Sequence, residues 1–199
     1  MTKVAIVYHS GFGHTRLQAE AVASGAAAVD GVEALFLTTE EASADIDQLD
    51  AADAIIFGSP TYMGSMSAEM KKFLEVSAAK WFTQAWKDKV AGAFTNSSSF
   101  SGDKLNTLVG MMITAMQQGM IFVSLGLHPA ASDPDSMNRI EGPGPEATNR
   151  VGSYIGPMAS SFQVNAGDAP SSGDLATAEA YGHRVATITQ QLVRGRTAD

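Results

Sequence analysis

Residues 8–15 read Tyr-His-Ser-Gly-Phe-Gly-His-Thr and join a predicted strand to a predicted helix. Before them, residues 4–7 (Val-Ala-Ile-Val) form an apolar run of the length expected for a strand buried on both faces. After them, apolar side chains recur at helical spacing through Ala-rich sequence, so we expect a helix to begin near Thr15. Such a turn directs backbone N–H groups and the positive end of a helix dipole to one point, where a phosphate can bind.

The glycine spacing in this turn argues against two common nucleotide-binding loops. Residues 11–16 (Gly-Phe-Gly-His-Thr-Arg) lack the third glycine of the dinucleotide motif, and no Gly-Lys-Ser/Thr follows, as a P-loop requires. The remaining pattern resembles the phosphate loop of flavodoxin-like FMN proteins, in which two hydroxyl residues and a glycine surround the monophosphate. Here those residues are Ser10, Gly13 and Thr15. An ordinary tight turn between strand and helix is the alternative interpretation.

The composition is typical of a globular protein without a membrane segment. The chain has 199 residues, of which 45% are hydrophobic and 17% charged, and this favours one domain with a full core. It has no cysteine, which excludes disulfides and thiolate metal sites, and no apolar run of about eighteen residues. Because the chain begins directly with a strand, we expect a cytoplasmic protein. A net charge of −8 argues against a nucleic-acid partner.

Apolar runs and helical patterns alternate five times along the chain. Strands are predicted over residues 4–7, 32–38, 54–58, 89–95 and 120–125, and helices over parts of 15–28, 39–50, 67–77, 105–116 and 175–192. This alternation predicts an α/β fold with a parallel sheet and right-handed crossovers. Residues 126–173 are rich in Pro, Gly and Ser and show no period. We therefore expect one domain over residues 1–199 with a long loop insertion at about 126–173, and a mobile tail over 194–199.

Three predicted loops follow the carboxyl ends of strands, at residues 9–15, 59–66 and 95–102. Ligands of parallel sheets bind at this edge, so the loops should converge on one crevice. Residues 60–64 (Pro-Thr-Tyr-Met-Gly) offer a rigid bend whose amides suit the polar edge of a flavin, with an aromatic and a thioether to pack on its ring. Residues 96–100 (Asn-Ser-Ser-Ser-Phe) suit the other edge. The alternatives are a turn with a surface tyrosine and a flexible linker.

Three segments together are similar to the WrbA (tryptophan-repressor-binding-protein) type of NAD(P)H:quinone oxidoreductase. They are residues 9–15, residues 58–74 (Gly-Ser-Pro-Thr-Tyr-Met-Gly-Ser-Met-Ser-Ala-Glu-Met-Lys-Lys-Phe-Leu) and residues 117–123 (Gln-Gln-Gly-Met-Ile-Phe-Val). The similarity extends over residues 3–127. It implies a flavodoxin-like, doubly wound five-stranded parallel sheet of order 2-1-3-4-5 with helices on both faces. It also implies non-covalent FMN, hydride transfer from NAD(P)H to a quinone or similar acceptor, and a homo-oligomer, either a tetramer or a dimer.

The resemblance assigns site residues by position. The residues implied to bind the cofactor are Ser10, Gly11, Phe12, Gly13, His14, Thr15, Pro60, Thr61, Tyr62, Met63, Gly64, Thr95, Asn96, Ser97, Ser98, Ser99, Phe100 and Gly102. The residues implied to contact the substrate are Phe12, Trp81 and Gln118. No side chain is assigned as a nucleophile or a metal ligand, because the reaction depends on positioning two ring systems.

Three departures from the family pattern bear on the acceptor. The family has a Gly-rich Ser-Thr-Gly-Thr-Gly-Gly-like loop where residues 96–102 read Asn-Ser-Ser-Ser-Phe-Ser-Gly, so Phe100 can enter the site. Gln118 stands in place of a histidine, and Tyr62 replaces an arginine and removes a positive charge. The alternatives within the flavin class are a flavodoxin-type electron carrier and a flavin reductase that supplies a partner enzyme.

A receiver module that is phosphorylated on aspartate is the alternative from a different class. It would need acidic residues after the first strand and an aspartate after the third. Those places hold His9-Ser10 and Ser59-Pro60, so the sequence favours a flavin protein.

Overall fold

A computed structural model describes residues 1–196 and places a mainly parallel sheet at the centre of the protein. Its strands are β1 (Thr2–Tyr8), β2 (Val32–Thr38), β3 (Ala54–Tyr62), β4 (Ser65–Met66), β5 (Val90–Ser97), β6 (Ile121–Phe122) and β7 (Met158–Ser160). The sheet order is β2-β1-β3-β5-β6, while the two-residue β4 pairs antiparallel with β3. When the five strands of this path are numbered by their position along the chain, their order across the sheet is 2-1-3-4-5, as predicted.

Helices cover both faces of the sheet, which confirms the predicted doubly wound arrangement. They are α1 (His14–Ala27), α2 (Thr39–Ala44), α3 (Ala68–Val76), α4 (Ala78–Thr83), α5 (Lys104–Gln117) and α6 (Ser172–Arg196), with 3-10 turns at Ile46–Ala51 and Pro134–Asn138. Successive residues of β1 point to opposite faces: Val4 and Ile6 pack with the cluster under α1 and α6, whereas Ala5 and Val7 pack with that under α3 and α5. Burial on both faces explains the continuous apolar runs.

Several helix boundaries follow from local capping. Ser67 caps α3 and accepts a hydrogen bond from the Met70 N–H. Thr38 and Glu41 form a capping box at α2. The single helix predicted within 39–50 is instead α2 followed by a 3-10 turn, and α4 was not predicted. The predicted tail overlaps α6, which continues to Arg196, and residues 197–199 lie outside the described part of the chain.

The fifth strand position is shared by two short segments. Ile121 pairs with Val90 at the start of β5, and β7 pairs with Thr95–Ser97 at its end. Residues 124–156 leave the sheet between these two pairings, so the strand predicted over 120–125 is shorter than expected. The segment 126–173 is not structureless, because it contains a 3-10 turn and β7. That the chain forms one domain with this insertion stays a prediction.

Candidate functional site

Four segments surround a cavity of about 450 Å³ at the carboxyl end of the sheet. They are the loop after β1, the ends of β3 and β5, and the segment that follows β7. The lining residues are Phe12, His14, Thr15, Pro60, Thr61, Tyr62, Asn96, Ser97, Ser98, Ser161, Phe162, Gln163, Val164, Asn165 and Ala166. The cavity has the volume of a small-molecule site and lies where parallel sheets bind ligands. The predicted convergence of three loops is present, and a fourth segment joins them.

The loop after β1 has the backbone geometry of an anion cradle. Gly13 has φ +90°, and an added Cβ would lie 2.9 Å from the Cβ of Ala166. The Ser10 hydroxyl accepts hydrogen bonds of 3.1 Å from the N–H groups of Gly13 and Arg16 and fixes the turn. The first turn of α1, His-Thr-Arg-Leu, contains no acidic residue, and the N-cap residue, Gly13, has no side chain that could take up the remaining N–H groups. The dipole of α1 is therefore available to a phosphate.

Tyr62 connects this loop to the end of β3. The Gly11 N–H donates to the Tyr62 hydroxyl, and the Tyr62 ring lies edge-on to Phe12, with 6.2 Å between the ring centroids. A Cβ on Gly11 would lie only 2.5 Å from the Tyr62 hydroxyl oxygen, so the contact requires glycine. Burial raises the pKa of Tyr62 above its ordinary value. The phenol therefore remains protonated and neutral at physiological pH.

Three buried threonines connect the strand ends at the cavity to α5. The Thr61 hydroxyl lies 2.8 Å from the hydroxyls of both Thr95 and Thr107 and hydrogen-bonds to each. Thr61 lines the cavity, whereas Thr95 and Thr107 are buried. This connection joins β3, β5 and α5 through neutral groups, so the floor of the cavity is polar and carries no charge.

The segment after β7 is the part of the site that sequence reasoning missed. His14 Nε2 lies 2.8 Å from the Val164 carbonyl oxygen, which joins this segment to α1. The Asn96 side-chain amide hydrogen-bonds to the Ser161 hydroxyl over 3.1 Å. The only signal was a weak alternation of apolar and polar residues over 162–165 (Phe-Gln-Val-Asn) within a region without period.

Several predicted cofactor residues lie around the cavity without lining it. Ser10 and Gly13 border a neighbouring groove, and Gly11 lies against Tyr62. Met63 is fully exposed at a turn completed by Gly64, whose carbonyl accepts from Asn106. Ser99 and Gly102 pack within the loop after β5, where the Ser99 carbonyl accepts from Ser97. Phe100 points away from the cavity floor and packs against Phe162 instead.

Trp81 and Gln118 do not line this cavity within the described residues, and their contact with substrate stays a prediction. Gln118 is buried after the last turn of α5, where its amide donates to the carbonyl and hydroxyl oxygens of Ser77. Trp81 lies on α4 against Phe82, with ring centroids 4.8 Å apart. Because α5 begins at the carboxyl edge of the sheet and runs back along it, its end lies at the opposite edge.

Metal and membrane features are absent from the part of the chain that the structure describes. Within residues 1–196 no three His, Cys, Asp or Glu side chains come close enough to hold a metal ion. Over the same residues, no helix combines the length and the apolar character needed to cross a bilayer.

Comparison with known proteins places this fold and site in a family. A family model described as NADPH-dependent FMN reductase matches residues 13–127. The chain belongs to this family. It is 43% identical over 195 residues to the Flavodoxin FldP of Pseudomonas aeruginosa, covering 96% of this chain and 99% of the relative. It is 33% identical over 214 residues to an NAD(P)H dehydrogenase (quinone) of Syntrophobacter fumaroxidans, with coverage of 96% and 99%.

A solved structure supports the same assignment of this FMN reductase family member. The flavodoxin, WrbA-like protein from Agrobacterium tumefaciens superposes with a TM-score of 0.71 at 41% identity, and the match covers 96% of this chain and 99% of that one. The predicted relationship to WrbA-type proteins and the predicted flavodoxin-like fold are therefore confirmed. The prediction of an FMN-dependent oxidoreductase is confirmed at the level of the family.

Proposed function

We propose that this family member binds FMN in the cavity at the carboxyl edge of the sheet and passes a hydride from NAD(P)H to a quinone or similar small acceptor. The observation that carries the proposal is the meeting of the Gly13 turn and the Pro60–Tyr62 segment in one open cavity of about 450 Å³. Neither Tyr62 nor Phe100 fills that space. Relatives named NAD(P)H dehydrogenase (quinone) support the choice of acceptor.

The residues of the site fit a phosphorylated flavin. The narrow passage between Gly13 and Ala166 admits no side chain at position 13, so backbone alone faces the space there. The hydroxyls of Ser10 and Thr15 flank the helix N-terminus, where neutral donors and the dipole suit a phosphate. When bound, FMN supplies the capacity to accept a hydride from a reduced nicotinamide and to give it up to an acceptor.

The chain's own contribution is binding, orientation and exclusion of water. The backbone N–H groups of Phe12, His14 and Thr15 would hold the phosphate, and residues 60–62 and 96–98 would hold the ring from two sides. The Thr61 hydroxyl network fixes the spacing of these two strand ends. Phe12 is 76% exposed at the mouth and packs on Tyr62, so it offers an apolar ring to an incoming nicotinamide or quinone.

The experiment is reconstitution with FMN followed by an assay of NADPH and NADH oxidation with benzoquinone. We expect the protein to quench FMN fluorescence on binding, to turn yellow, and to oxidise the nucleotide only when both FMN and benzoquinone are present. The apoprotein with benzoquinone is the control. A protein that binds no FMN, or binds it and leaves both nucleotides unoxidised, would contradict the proposal.

A second candidate, a flavodoxin-type electron carrier, is favoured by the relative named Flavodoxin FldP. A carrier would oxidise no nucleotide by itself and would pass electrons to cytochrome c only when a separate reductase feeds it. A flavin reductase serving a partner would reduce FMN added in excess and release it. Measuring nucleotide oxidation with benzoquinone, with cytochrome c plus a reductase, and with excess FMN separates the three activities.

We also propose a homo-oligomer, a tetramer or dimer, built on apolar side chains that two helices expose near the amino edge of the sheet. These side chains are Trp81 and Phe82 on α4 and Ile113 and Met116 on α5. A hydrogen bond from Gln118 to Ser77 holds these two helices together. Light scattering should give a multiple of the 20.8 kDa chain mass, and Ile113→Glu should shift it toward the single chain.

A further inference from the structure

A second cavity of about 750 Å³ lies beside the proposed flavin cavity. Phe100 lines the second cavity and Phe162 the first, and their rings pack edge-on with centroids 5.1 Å apart. The two cavities are also adjacent along the backbone. Ser160 accepts a hydrogen bond from Lys104, which lines the second cavity, and the next residue, Ser161, lines the first. One pair of aromatic rings and one short segment therefore separate them.

Buried positive charge lies beneath this second cavity. Lys104 is 1% exposed, and its ammonium donates to the Ala159 carbonyl and the Ser160 hydroxyl, both of them neutral. Arg150 donates through Nε and Nη2 to the two carboxylate oxygens of Asp174, over 2.9 and 2.8 Å. Within residues 1–196 Asp174 is the one carboxylate that forms an ion pair with Arg150, and none forms one with Lys104. Two buried cations therefore share a single buried anion.

The position of Lys104 makes the surplus charge unfavourable in the free protein. Lys104 is the first residue of α5, where the helix dipole is positive and repels a cation. Burial and the charge of Arg150 lower the pKa of Lys104 to about 8, while Asp174 opposes them. Asp103 also lines the cavity, but its side chain is exposed to solvent. A buried cation without a counter-ion is costly, and an anion in the cavity would remove that cost.

The cavity also suits the size and shape of a nucleotide. Its volume greatly exceeds that of a single phosphate, and its walls include the Phe100 ring together with Leu105 and Val109. Two of the three N–H donors of the Lys104 ammonium are used within the described residues, which leaves one for a ligand. Lysine and arginine at one place are typical of phosphate recognition.

We propose that the second cavity binds a phosphate-bearing ligand through Lys104 and Arg150, and that this ligand is the NAD(P)H of the proposed reaction. The inference rests on the proposed function for the identity of the ligand, because the nicotinamide end would reach the first cavity past Phe100. Lys104 and Arg150 then set the affinity for the dinucleotide without contacting the flavin or the acceptor.

The test is calorimetric titration of the FMN-loaded protein with ADP, which carries phosphates but cannot react. Adenosine and inorganic phosphate are titrated in parallel. We expect ADP to bind, and Lys104→Met to weaken its binding about tenfold or more, because a hydrogen-bonded charge is lost. Lys71→Met, on the exposed face of α3, is the matched control and should bind ADP unchanged. Asp103→Asn should bind ADP as tightly or more tightly, because it removes a negative charge at the rim.

Two further measurements distinguish the loss of a ligand contact from misfolding of the Lys104→Met variant. Lys104→Gln keeps a donor for Ala159 and should weaken ADP binding to a similar extent while retaining the circular dichroism and FMN affinity of the parent. In the wild-type protein, ADP affinity should fall as the pH rises above about 8, since Lys104 then loses its proton beside Arg150, Asp174 and Asp103. A pH-independent affinity would contradict the role of Lys104.

Competition identifies the source of the phosphate. If ADP raises the KM for NADPH, and Lys104→Met raises that KM with FMN affinity unchanged, the ligand is the dinucleotide. If ADP or inorganic phosphate binds through Lys104 without competing, the site is a phosphate site but the dinucleotide assignment is wrong. If neither binds, or both bind equally well to Lys104→Met, the inference fails, although FMN binding and NADPH oxidation would leave the proposed function intact. Loss of FMN binding alone would refute the proposed function, and titration of the FMN-free protein with ADP would still report on this cavity.

Discussion

Replacing Asp174 by alanine should be among the most damaging single substitutions in this protein. Its carboxylate accepts two hydrogen bonds from Arg150 and one of 3.0 Å from the Ser160 N–H, and the two side chains of the ion pair are 2% and 5% exposed. Asp174→Ala leaves two buried cations, Arg150 and Lys104, without a partner charge. Breaking a buried pair in this way costs about 3–5 kcal/mol, a large part of the roughly 5–15 kcal/mol that stabilises a domain.

The chain offers a matched control for this prediction. Asp133 accepts two hydrogen bonds of 3.2 Å from Arg139, but both side chains are exposed, so Asp133→Ala should cost no more than about 1 kcal/mol. Urea denaturation followed by circular dichroism gives both free energies of unfolding. The double variant Asp174→Ala/Arg150→Met should recover part of the loss, because it removes one stranded charge. Equal losses for Asp174→Ala and Asp133→Ala would refute the reasoning.

Three further predictions concern the turn, the buried lysine and the threonine network. Gly13→Ala should cost about 1–2 kcal/mol of stability and weaken FMN binding. The control is Gly142→Ala, which has φ +67° and no described atom within 4 Å of its added Cβ, so it should cost stability alone. Equal FMN affinities of the two variants would contradict this. The pKa of Lys104 is lowered from 10.5 to about 8, so between these pH values the unfolded chain holds a proton that the folded protein has lost. The free energy of unfolding of the wild type, measured by urea denaturation, should therefore rise by up to about 3 kcal/mol relative to that of Lys104→Met as the pH increases from 8 to 10.5. A difference between the two proteins that does not change with pH would contradict this. Thr61→Val should cost about 1–3 kcal/mol in urea denaturation by leaving two buried hydroxyls short of a partner, more than the same change at the exposed Thr83.

The sheet and three of the four site segments could be predicted because their signals are local. The apolar runs of β1 and β3 show burial on both faces, and helical spacing separates them. Turn-forming residues such as Gly13 and Pro60 lie within a few residues of the ends of these runs. Since the carboxyl ends of parallel strands share one edge, finding the strands was enough to bring their loops together.

The fourth segment could not be predicted because its position depends on a distant partner. β7 reads Met-Ala-Ser, three residues without a β-branched side chain, and it pairs with Thr95–Ser97 more than sixty residues earlier. Hydrogen bonds to the side chains of Lys104 and Asp174 hold β7 in this position, and such contacts produce no periodic pattern in the sequence. The substrate contacts of Trp81 and Gln118 were assigned by similarity alone and stay predictions.

The division of the fifth strand position has a consequence for the order in which the protein folds. Most of the sheet can assemble from neighbouring β-α-β units, but β7 can join only after some thirty-five intervening residues have closed into a loop. The fourth wall of the cavity should therefore be the last to form and the first to open. Because the entropy of loop closure changes slowly with length, homologous chains can lengthen or shorten this loop and reshape the wall while the remaining strands stay paired.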